Sequence, residues 1–188
     1  MQLSKHFKLE EFEKSMTATR KGIENKADSG IIKNLTDLCY GVLEPVRAKF
    51  EKPIIITSGY RSPELNRAIG SKSDTSQHCK GEAVDFEIAG ISNLQVALWI
   101  QNNTDFDQLI LEFWKDGEPN SGWVHCSYKE GSNRKQVLTY SGGEYKNDLP
   151  EANGLVVKCK TRRKYANKKT KKTTNGFTES YNEKNEKN

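Results

Sequence analysis

The chain has few histidines and no long apolar run, and the second of these shortages limits which classes of protein it can belong to. Its 188 residues include 3 His and 2 Met, and 34% of them are hydrophobic. No run reaches the roughly 18–20 apolar residues that a membrane-spanning helix needs. The first residues, MQLSKHFKLEEF, contain no apolar segment of a signal peptide. We therefore expect a product made in the cytoplasm, which reaches any target outside the cell after lysis or by delivery in a particle.

A disulfide framework is also not expected. The four cysteines stand at positions 39, 79, 126 and 159, far apart, and none of them forms a Cys-x-x-Cys pair. This distribution is more typical of free thiols in a reduced compartment than of a small domain held together by disulfides.

The positive charge of the chain is concentrated at its C-terminal end. The net charge is +5, yet residues 158–188 carry 11 Lys or Arg and 3 Glu, whereas residues 1–157 carry 19 basic and 22 acidic residues. The end segment has no periodic apolar face, so we expect disorder or weak order there. We predict one folded domain, residues 1–157, and a basic tail, residues 158–188. The charge of the tail indicates binding to a polyanion. The alternative is that the tail is solvated and binds no ligand.

Apolar spacing predicts alternating helices and short strands. Residues 31–50 have helical periodicity after a capping Asp28 or Ser29, and Pro45 is expected to kink or restart that helix. Two more helices are predicted after Ser62 and Ser92. Strand patterns are PIIIT, EAVDFEI, DQLILEF, GWVHCSY and QVLTY. This mixture predicts an α+β domain.

Two stretches, SQHCKGEAVDF and GWVHCSY, contain residues that suit a metal ion. Two imidazoles and one carboxylate, from His78, Asp85 and His125, form a set that suits Zn²⁺. His78 ends a polar loop, Asp85 lies on the next strand and points away from the core, and His125 lies on another strand 40 residues later. Three ligands on separate elements, with one position left for water, are typical of a catalytic zinc site. The spacing by itself is weak evidence, because such residues occur together by chance in most proteins.

Two further residues have positions typical of a site. Arg61 lies between a predicted strand and a predicted helix, where site residues are common, and a surface Arg in a tight turn is the alternative. The strands DQLILEF and GWVHCSY are joined by the loop WKDGEPNS. If they pair as a hairpin, Glu112 comes close to His125.

The third histidine and two cysteines have simpler interpretations. His6 has no second ligand nearby, so we expect a surface or structural residue. Cys79 and Cys126 directly follow the two candidate His ligands, which raises the alternative of a structural Cys₂His₂ zinc site. A strand would point Cys126 away from His125, so buried thiols are the preferred interpretation.

The same stretches resemble the motifs of a known family. SQHCKGEAVDF matches the pattern Ser-x-His-x-x-Gly-x-Ala-x-Asp, which is the zinc-binding signature of the D-alanyl-D-alanine carboxypeptidase family of peptidoglycan peptidases. SGYRS, residues 58–62, resembles the upstream Arg motif of that family, and GWVHCSY resembles its downstream Trp-x-His motif. All three motifs occur in the order of the family. The resemblance covers about residues 1–140 and is similar to the compact variant of phage-encoded cell-wall enzymes.

The resemblance implies a fold shared with hedgehog signalling domains, in which helices pack on a small antiparallel sheet. It implies zinc-dependent hydrolysis of an amide bond in peptidoglycan stem peptides, as a carboxypeptidase or an endolysin-type endopeptidase. His78, Asp85 and His125 would hold Zn²⁺. Arg61 would bind the substrate carbonyl or carboxylate and offset charge on the tetrahedral intermediate. Ser76 would bind a ligand or the substrate, with a loop cap as its alternative role, and the tail would suit an anionic wall polymer or a nucleic acid.

The sequence departs from the family pattern at one position. Many members carry a general-base Glu three residues before the last His, where this chain has Gly122. We expect Glu112 to be the base, because QLILE resembles the corresponding strand of the phage-like variant, and a carboxylate that orients a ligand His is the alternative. Glu87 and Glu118 are weaker candidates. Because of Gly122, one alternative is that the chain is a cell-wall-binding or phage-particle structural module with weak catalysis. Because of the basic tail, another alternative is a nucleic-acid-associated protein.

Overall fold

The structure, a computed structural model, describes residues 1–71, 73 and 75–151. The predicted boundary after residue 157 and the basic tail lie outside these residues and stay predictions. Within the described residues the α+β class is confirmed. No helix among them is long and apolar enough to cross a membrane.

The helices lie mainly in the first half of the chain. They are α1 (Leu9–Glu13), α2 (Met16–Lys21), α3 (Ser29–Leu38), α4 (Glu44–Phe50), α5 (Pro63–Ala68) and α6 (Asn93–Asn103). A π-helical turn, Cys39–Leu43, joins α3 to α4, and a 3₁₀ helix, Gln77–Lys80, precedes the second strand. The strands are β1 (Ile54–Ser58), β2 (Ala83–Ile88), β3 (Gln108–Glu112), β4 (Trp123–Ser127), β5 (Gln136–Ser141) and β6 (Glu144–Asn147).

Proline and capping residues begin the helices where the sequence predicts. The Asp28 carboxylate accepts a hydrogen bond from the Ile31 N–H at 2.9 Å at the start of α3. Pro45 has no N–H to donate, and the helix passes through the π-helical turn immediately before it and continues as α4. Ser62 caps α5 by accepting from the Leu65 N–H at 3.3 Å.

The sheet has the order β1-β2-β4-β3-β5-β6 and is mixed rather than wholly antiparallel. Four neighbouring pairs are antiparallel, as expected, but β5 is parallel to β3. The reason is the return path of the chain. Residues 128–135 leave β4 beside the start of β3 and pass that strand, so β5 begins at the same end as β3 and runs the same way.

The two faces of the sheet have different roles. One face packs on the helices and contributes fully buried residues from three strands: Val84, Phe86, Leu109, Leu111, Val124 and Cys126. Helices α3 and α4 and the turn between them bury their apolar residues in the same core, and Phe7 and Phe12 anchor the N-terminal segment. Because side chains alternate along a strand, the other face is left free to carry polar residues.

Candidate metal centre

The candidate site begins with a row of side chains on the face of the sheet opposite the core. Asp85 on β2 is in register with His125 on β4, which is in register with Ile110 on β3. All three side chains therefore point to one face. His78 joins this row from the 3₁₀ helix, which ends at Gly81 in the left-handed conformation (φ +69°) and leads directly into β2.

The structure brings His78, Asp85 and His125 together. Nδ1 of His125 lies 2.8 Å from Oδ1 of Asp85, and Nε2 of His78 lies 3.4 Å from the same oxygen. One ligand atom from each residue lies within 4.8 Å of the other two, and all three residues are buried. Ligand atoms around a tetrahedral zinc ion are separated by about 3.4 Å. The donor set and its spacing therefore fit a small divalent cation, and the role of these residues as ligands stays a prediction.

Neighbouring groups fix the orientation of two of these side chains. His78 Nδ1 donates to the carbonyl oxygen of Gly59 at 2.7 Å, so Nε2 is the nitrogen that faces the site. Arg61 donates from Nη2 to Oδ2 of Asp85 at 2.8 Å and from Nε to the hydroxyl of Ser58 at 2.9 Å. Such outer hydrogen bonds commonly orient metal ligands. The segment between β1 and α5 thus positions both His78 and Asp85.

The charge states of these groups also suit a metal. Burial lowers the pKa of His78, and the neighbouring Asp85 acts in the opposite direction, so the imidazole favours its neutral form. Burial would raise the pKa of Asp85, but His78 and His125 hold it well below its usual range. A neutral imidazole and an ionised carboxylate are the forms that bind metal ions.

The three residues open into a cleft of about 740 Å³. Glu112 and Trp123 line it at one end of the β3–β4 pair, whereas Lys129 and Arg134 follow the other end of β4, and Lys80 lines it from the 3₁₀ helix. A cleft of this size is typical of sites that enclose a small ligand or part of a peptide. The candidate metal centre is therefore accessible to a substrate on one side.

Strands β3 and β4 pair as a hairpin, which is the condition under which the sequence predicts that Glu112 comes close to His125, and Glu112 lines this cleft. Glu112 is in register with Trp123, two residues along each strand from Ile110 and His125. Burial raises the pKa of Glu112, while His125 lowers it. No hydrogen bond to its carboxylate is found among the described residues. Nδ1 of His125 is directed at Asp85, so Glu112 could orient that ring only through Nε2, and this alternative role stays a prediction.

Gly122 has a structural reason for being glycine. Its φ is +65°, and a Cβ at this position would lie 1.8 Å from the carbonyl oxygen of Glu112 and 2.6 Å from the carbonyl carbon of Phe113. Any side chain would overlap the backbone of β3. The Glu that many family members carry three residues before the last His therefore has no space here.

The remaining predicted residues fall into two groups. Ser76 lines the cleft, and its carbonyl oxygen rather than its hydroxyl accepts from Cys79 at the start of the 3₁₀ helix. Glu87 and Glu118 are not among the residues that line the cleft, and Glu118 is exposed beside Lys115. His6 also lies elsewhere, with its Nδ1 2.6 Å from a carboxylate oxygen of Glu44.

The structure does not support the Cys₂His₂ alternative. Cys126 is fully buried in the core, on the opposite face of β4 from His125. Burial raises its pKa above the usual range of a thiol, which disfavours the thiolate that a metal needs. The candidate metal cluster found among the described residues contains no cysteine.

Sequence reasoning missed the residues that come from the last described part of the chain. Arg134 and Tyr145 line the cleft, and the buried carboxylate of Asp107 accepts a hydrogen bond from Arg134. Arg134 and Tyr145 reach the cleft because β5 passes to the far side of β3. The strand patterns carry no signal for that pairing, so these residues had no apparent connection with His125.

One comparison with known proteins bears on this site. The model of a family described as peptidase M15 matches residues 5–127. The matched range contains the three candidate ligands, Arg61 and Glu112, and ends before Lys129 and Arg134. No curated protein matches the chain.

Proposed function

Because the chain belongs to the peptidase M15 family, we propose that it is a zinc-dependent peptidase that hydrolyses an amide bond in the stem peptides of peptidoglycan. Membership of the family indicates a metal-dependent peptidase. The identity of the metal, the substrate and the roles of single residues are the parts that we propose. The observation that carries the proposal is the convergence of His78, Asp85 and His125 in an open cleft.

Zinc is the metal that best suits these donors. Two imidazoles and one carboxylate favour Zn²⁺, whereas Mg²⁺ and Ca²⁺ favour oxygen ligands. When bound, Zn²⁺ supplies a Lewis acid that polarises a carbonyl and lowers the pKa of water. The chain contributes the ligands and the hydrogen bonds from Gly59 and Arg61 that hold them in place.

Glu112 is the proposed general base. Its carboxylate lines the cleft without a hydrogen-bond partner among the described residues, so it is available to a water molecule. Burial raises its pKa, which makes it a better proton acceptor than an exposed Glu. We assign it the transfer of a proton from the attacking water to the leaving nitrogen of the amide.

Arg61 and Ser76 are the proposed substrate-binding residues. Arg61 uses Nε and Nη2 to hold Ser58 and Asp85, whereas its Nη1 makes no hydrogen bond within the described part of the chain. That nitrogen is available to the substrate oxygen on which negative charge develops. The hydroxyl of Ser76 is likewise not used in capping the 3₁₀ helix and is available to the peptide.

Mass spectrometry of peptidoglycan fragments tests the proposal. Purified peptidoglycan is incubated with the zinc-loaded full chain, with or without a chelator, and with the variants His78→Ala and His6→Ala. We expect new fragments cut within the stem peptide from the unaltered chain and from His6→Ala. Intact peptidoglycan in the presence of zinc, or cleavage that survives both chelation and His78→Ala, would contradict the proposal.

A second candidate is a wall-binding module of the same fold with weak catalysis. The observation that favours it is the steric exclusion of a base at Gly122. Sedimentation of the chain with peptidoglycan, without the release of fragments, is the result that this candidate predicts. The nucleic-acid hypothesis depends on the tail, which lies outside the described residues.

A further inference from the structure

The end of the cleft opposite Glu112 is strongly basic. Lys80 comes from the 3₁₀ helix, Lys129 follows β4, and Arg134 lies in the loop that leads to β5. Neither lysine forms an ion pair with another described residue. The acids among the described lining residues are Asp85, which Arg61 pairs, and Glu112 at the far end. Every charged side chain that lines this end among the described residues is basic, which favours a negatively charged group there, although Asp107 pairs Arg134 and Glu82 lies beside Gln77.

Arg134 is held in place by a buried carboxylate. Its Nε donates to Oδ1 of Asp107 at 2.9 Å and its Nη2 donates to Oδ2 at 2.6 Å, while its backbone N–H donates to Oδ1 at 3.1 Å. Asp107 is fully buried and also accepts from Nε2 of Gln77 at 3.0 Å. Burial acts to raise the pKa of Asp107, but the bonds from Arg134 and Gln77 lower it to about 2. The carboxylate is therefore ionised and well supplied with hydrogen bonds.

This pairing leaves part of the guanidinium free for a ligand. Arginine has five N–H donors in a planar fork that matches a carboxylate. Asp107 takes two of them, and Nη1 has no partner among the described residues. The side chain is 54% exposed. Because an ion pair with one half-exposed partner adds only modest net stability, we interpret this one as a device that orients Arg134 towards the cleft.

The same network ties the basic end to the candidate metal centre. Gln77, which donates to Asp107, directly precedes His78. Along β3, Gln108 lies two residues from Ile110, which is about 7 Å, and Asp107 lies one residue further. An extended peptide spans about 3.5 Å per residue. A group bound at the basic end is therefore a few residues away from the amide that is cleaved.

We propose that Arg134, together with Lys80 and Lys129, forms a subsite for a carboxylate of the substrate. The preferred substrate then carries a free carboxylate a few residues from the cleaved amide, and the carboxamide form of the same peptide binds more weakly. This inference rests on the proposed function, because a peptide is taken to be the occupant of the cleft. Arg134 is a specificity residue that touches the substrate, whereas Asp107 and Gln77 position it.

A binding comparison tests the subsite without relying on turnover. The full chain carrying Glu112→Gln and loaded with zinc is titrated calorimetrically with a stem peptide whose carboxylates are either free or converted to carboxamides. At low ionic strength we expect the free form to bind about tenfold more tightly, and the preference to narrow as salt is added. When Arg134→Gln is introduced into the Glu112→Gln chain, the preference for the free peptide over the carboxamide form should fall to less than about threefold.

The matched control is Lys135→Gln. This neighbouring basic residue pairs with Asp105 and is not among the residues that line the cleft, so the preference should survive its replacement. Arg134→Gln removes the partner of a buried carboxylate, and if that chain does not fold, the double variant Lys80→Gln/Lys129→Gln serves in its place. Neither lysine forms an ion pair with residues 1–71, 73 or 75–151, and the pair of changes should lower the preference at least about threefold.

Two results would overturn the subsite. One is equal binding of the free and amidated peptides by the Glu112→Gln chain. The other is a preference that neither the Arg134 variant nor the double lysine variant reduces. Hydrolysis of peptidoglycan by the unaltered chain is a separate readout, and its absence contradicts the proposed function rather than the subsite.

Discussion

Glu112 and Gly122 lie next to each other at the end of the β3–β4 hairpin, and together they determine where a general base can be. The left-handed backbone of Gly122 approaches the carbonyl of Glu112 so closely that no side chain fits at position 122. The carboxylate of Glu112, in contrast, faces the cleft beside His125. The contact that leaves no room for a general base at position 122 is therefore made with Glu112, which is the candidate base on the neighbouring strand.

Glu112→Gln should abolish most of the activity while leaving the metal bound. Loss of a general base typically lowers kcat by about 10² to 10⁴, and Glu112 is not one of the three candidate ligands. Kinetics and metal analysis of the same preparation check both parts. Glu118→Gln is the control, since that Glu is exposed beside Lys115 and should be replaceable without effect. An unchanged kcat in Glu112→Gln would show that Glu112 is not the general base.

Gly122→Ala should destabilise the chain far more than Gly117→Ala. Both glycines have positive φ, +65° and +77°, so each substitution costs about 1–2 kcal/mol in backbone strain. A Cβ added at Gly117 would have no atom of the described residues within 4 Å, whereas one at Gly122 would meet the backbone of Glu112. We expect a further loss of about 1–3 kcal/mol at position 122, measured by urea unfolding. Equal losses at the two positions would contradict this packing.

At the scale of elements, Asp107 connects three pieces of the fold that surround the cleft. It directly precedes β3 and accepts a hydrogen bond from Nε2 of Gln77 in the 3₁₀ helix. Its carboxylate accepts from Arg134, and its carbonyl oxygen accepts from the backbone N–H of Gln136 at the start of β5. Loss of its negative charge should therefore loosen the connection between these elements.

Asp107→Asn should flatten the acid dependence of stability. The folded pKa of about 2 lies below the ordinary value of 3.8, so the carboxylate stabilises the fold above about pH 4. That contribution is lost as the pH falls from about 4 to 2. We expect it to be about 1–2 kcal/mol, because Arg134 is half exposed and solvent screens the pair. Chemical unfolding from pH 5 to 2.5 measures it.

The control for this experiment is Asp116→Asn, in an exposed loop. The Asp107 variant should start less stable than the unaltered chain at pH 5, and the difference should shrink towards pH 2.5. A difference that stays constant over this range would mean that Asp107 does not titrate as the structure implies.

Local sequence signals predicted most of the elements and the three candidate ligands. Asp28, Ser62 and Pro63 mark helix starts, and alternation in EAVDFEI placed Asp85 on the face away from the core. These features depend on residues that are close in sequence. The family motifs then linked His78 with His125.

Long-range geometry could not be predicted in the same way. The parallel pairing of β5 with β3 depends on the path of residues 128–135, and no residue pattern specifies that path. The sequence shows a glycine at position 122 but neither its positive φ nor its contact with Glu112. The basic end of the cleft depends on both the parallel strand and the buried Asp107, so it emerges only from the structure.

At the scale of the whole molecule, the uneven distribution of charge predicts separate roles for domain and tail. Removal of residues 158–188 takes away 11 basic and 3 acidic residues and leaves a body with more acids than bases. We propose that the tail binds an anionic polymer. The full chain should bind such a polymer with strong salt dependence, and the chain ending at residue 157 should bind weakly.

The shortened chain should also keep the unfolding transition of the full chain. All core residues described by the structure lie before residue 152. Binding to a polyanion column at increasing salt, combined with thermal unfolding of both chains, checks the prediction. Equal retention of the two chains on the column would show that the tail does not carry this binding.

The most direct test of the account is the zinc content of the full chain after metal removal, zinc addition and dialysis. His78, Asp85 and His125 are predicted to hold one ion between them, so the unaltered chain and His6→Ala should each retain about one equivalent. His125→Ala should retain far less, with a similar fold by circular dichroism. No zinc in the unaltered chain, or undiminished zinc in His125→Ala, would contradict the metal centre.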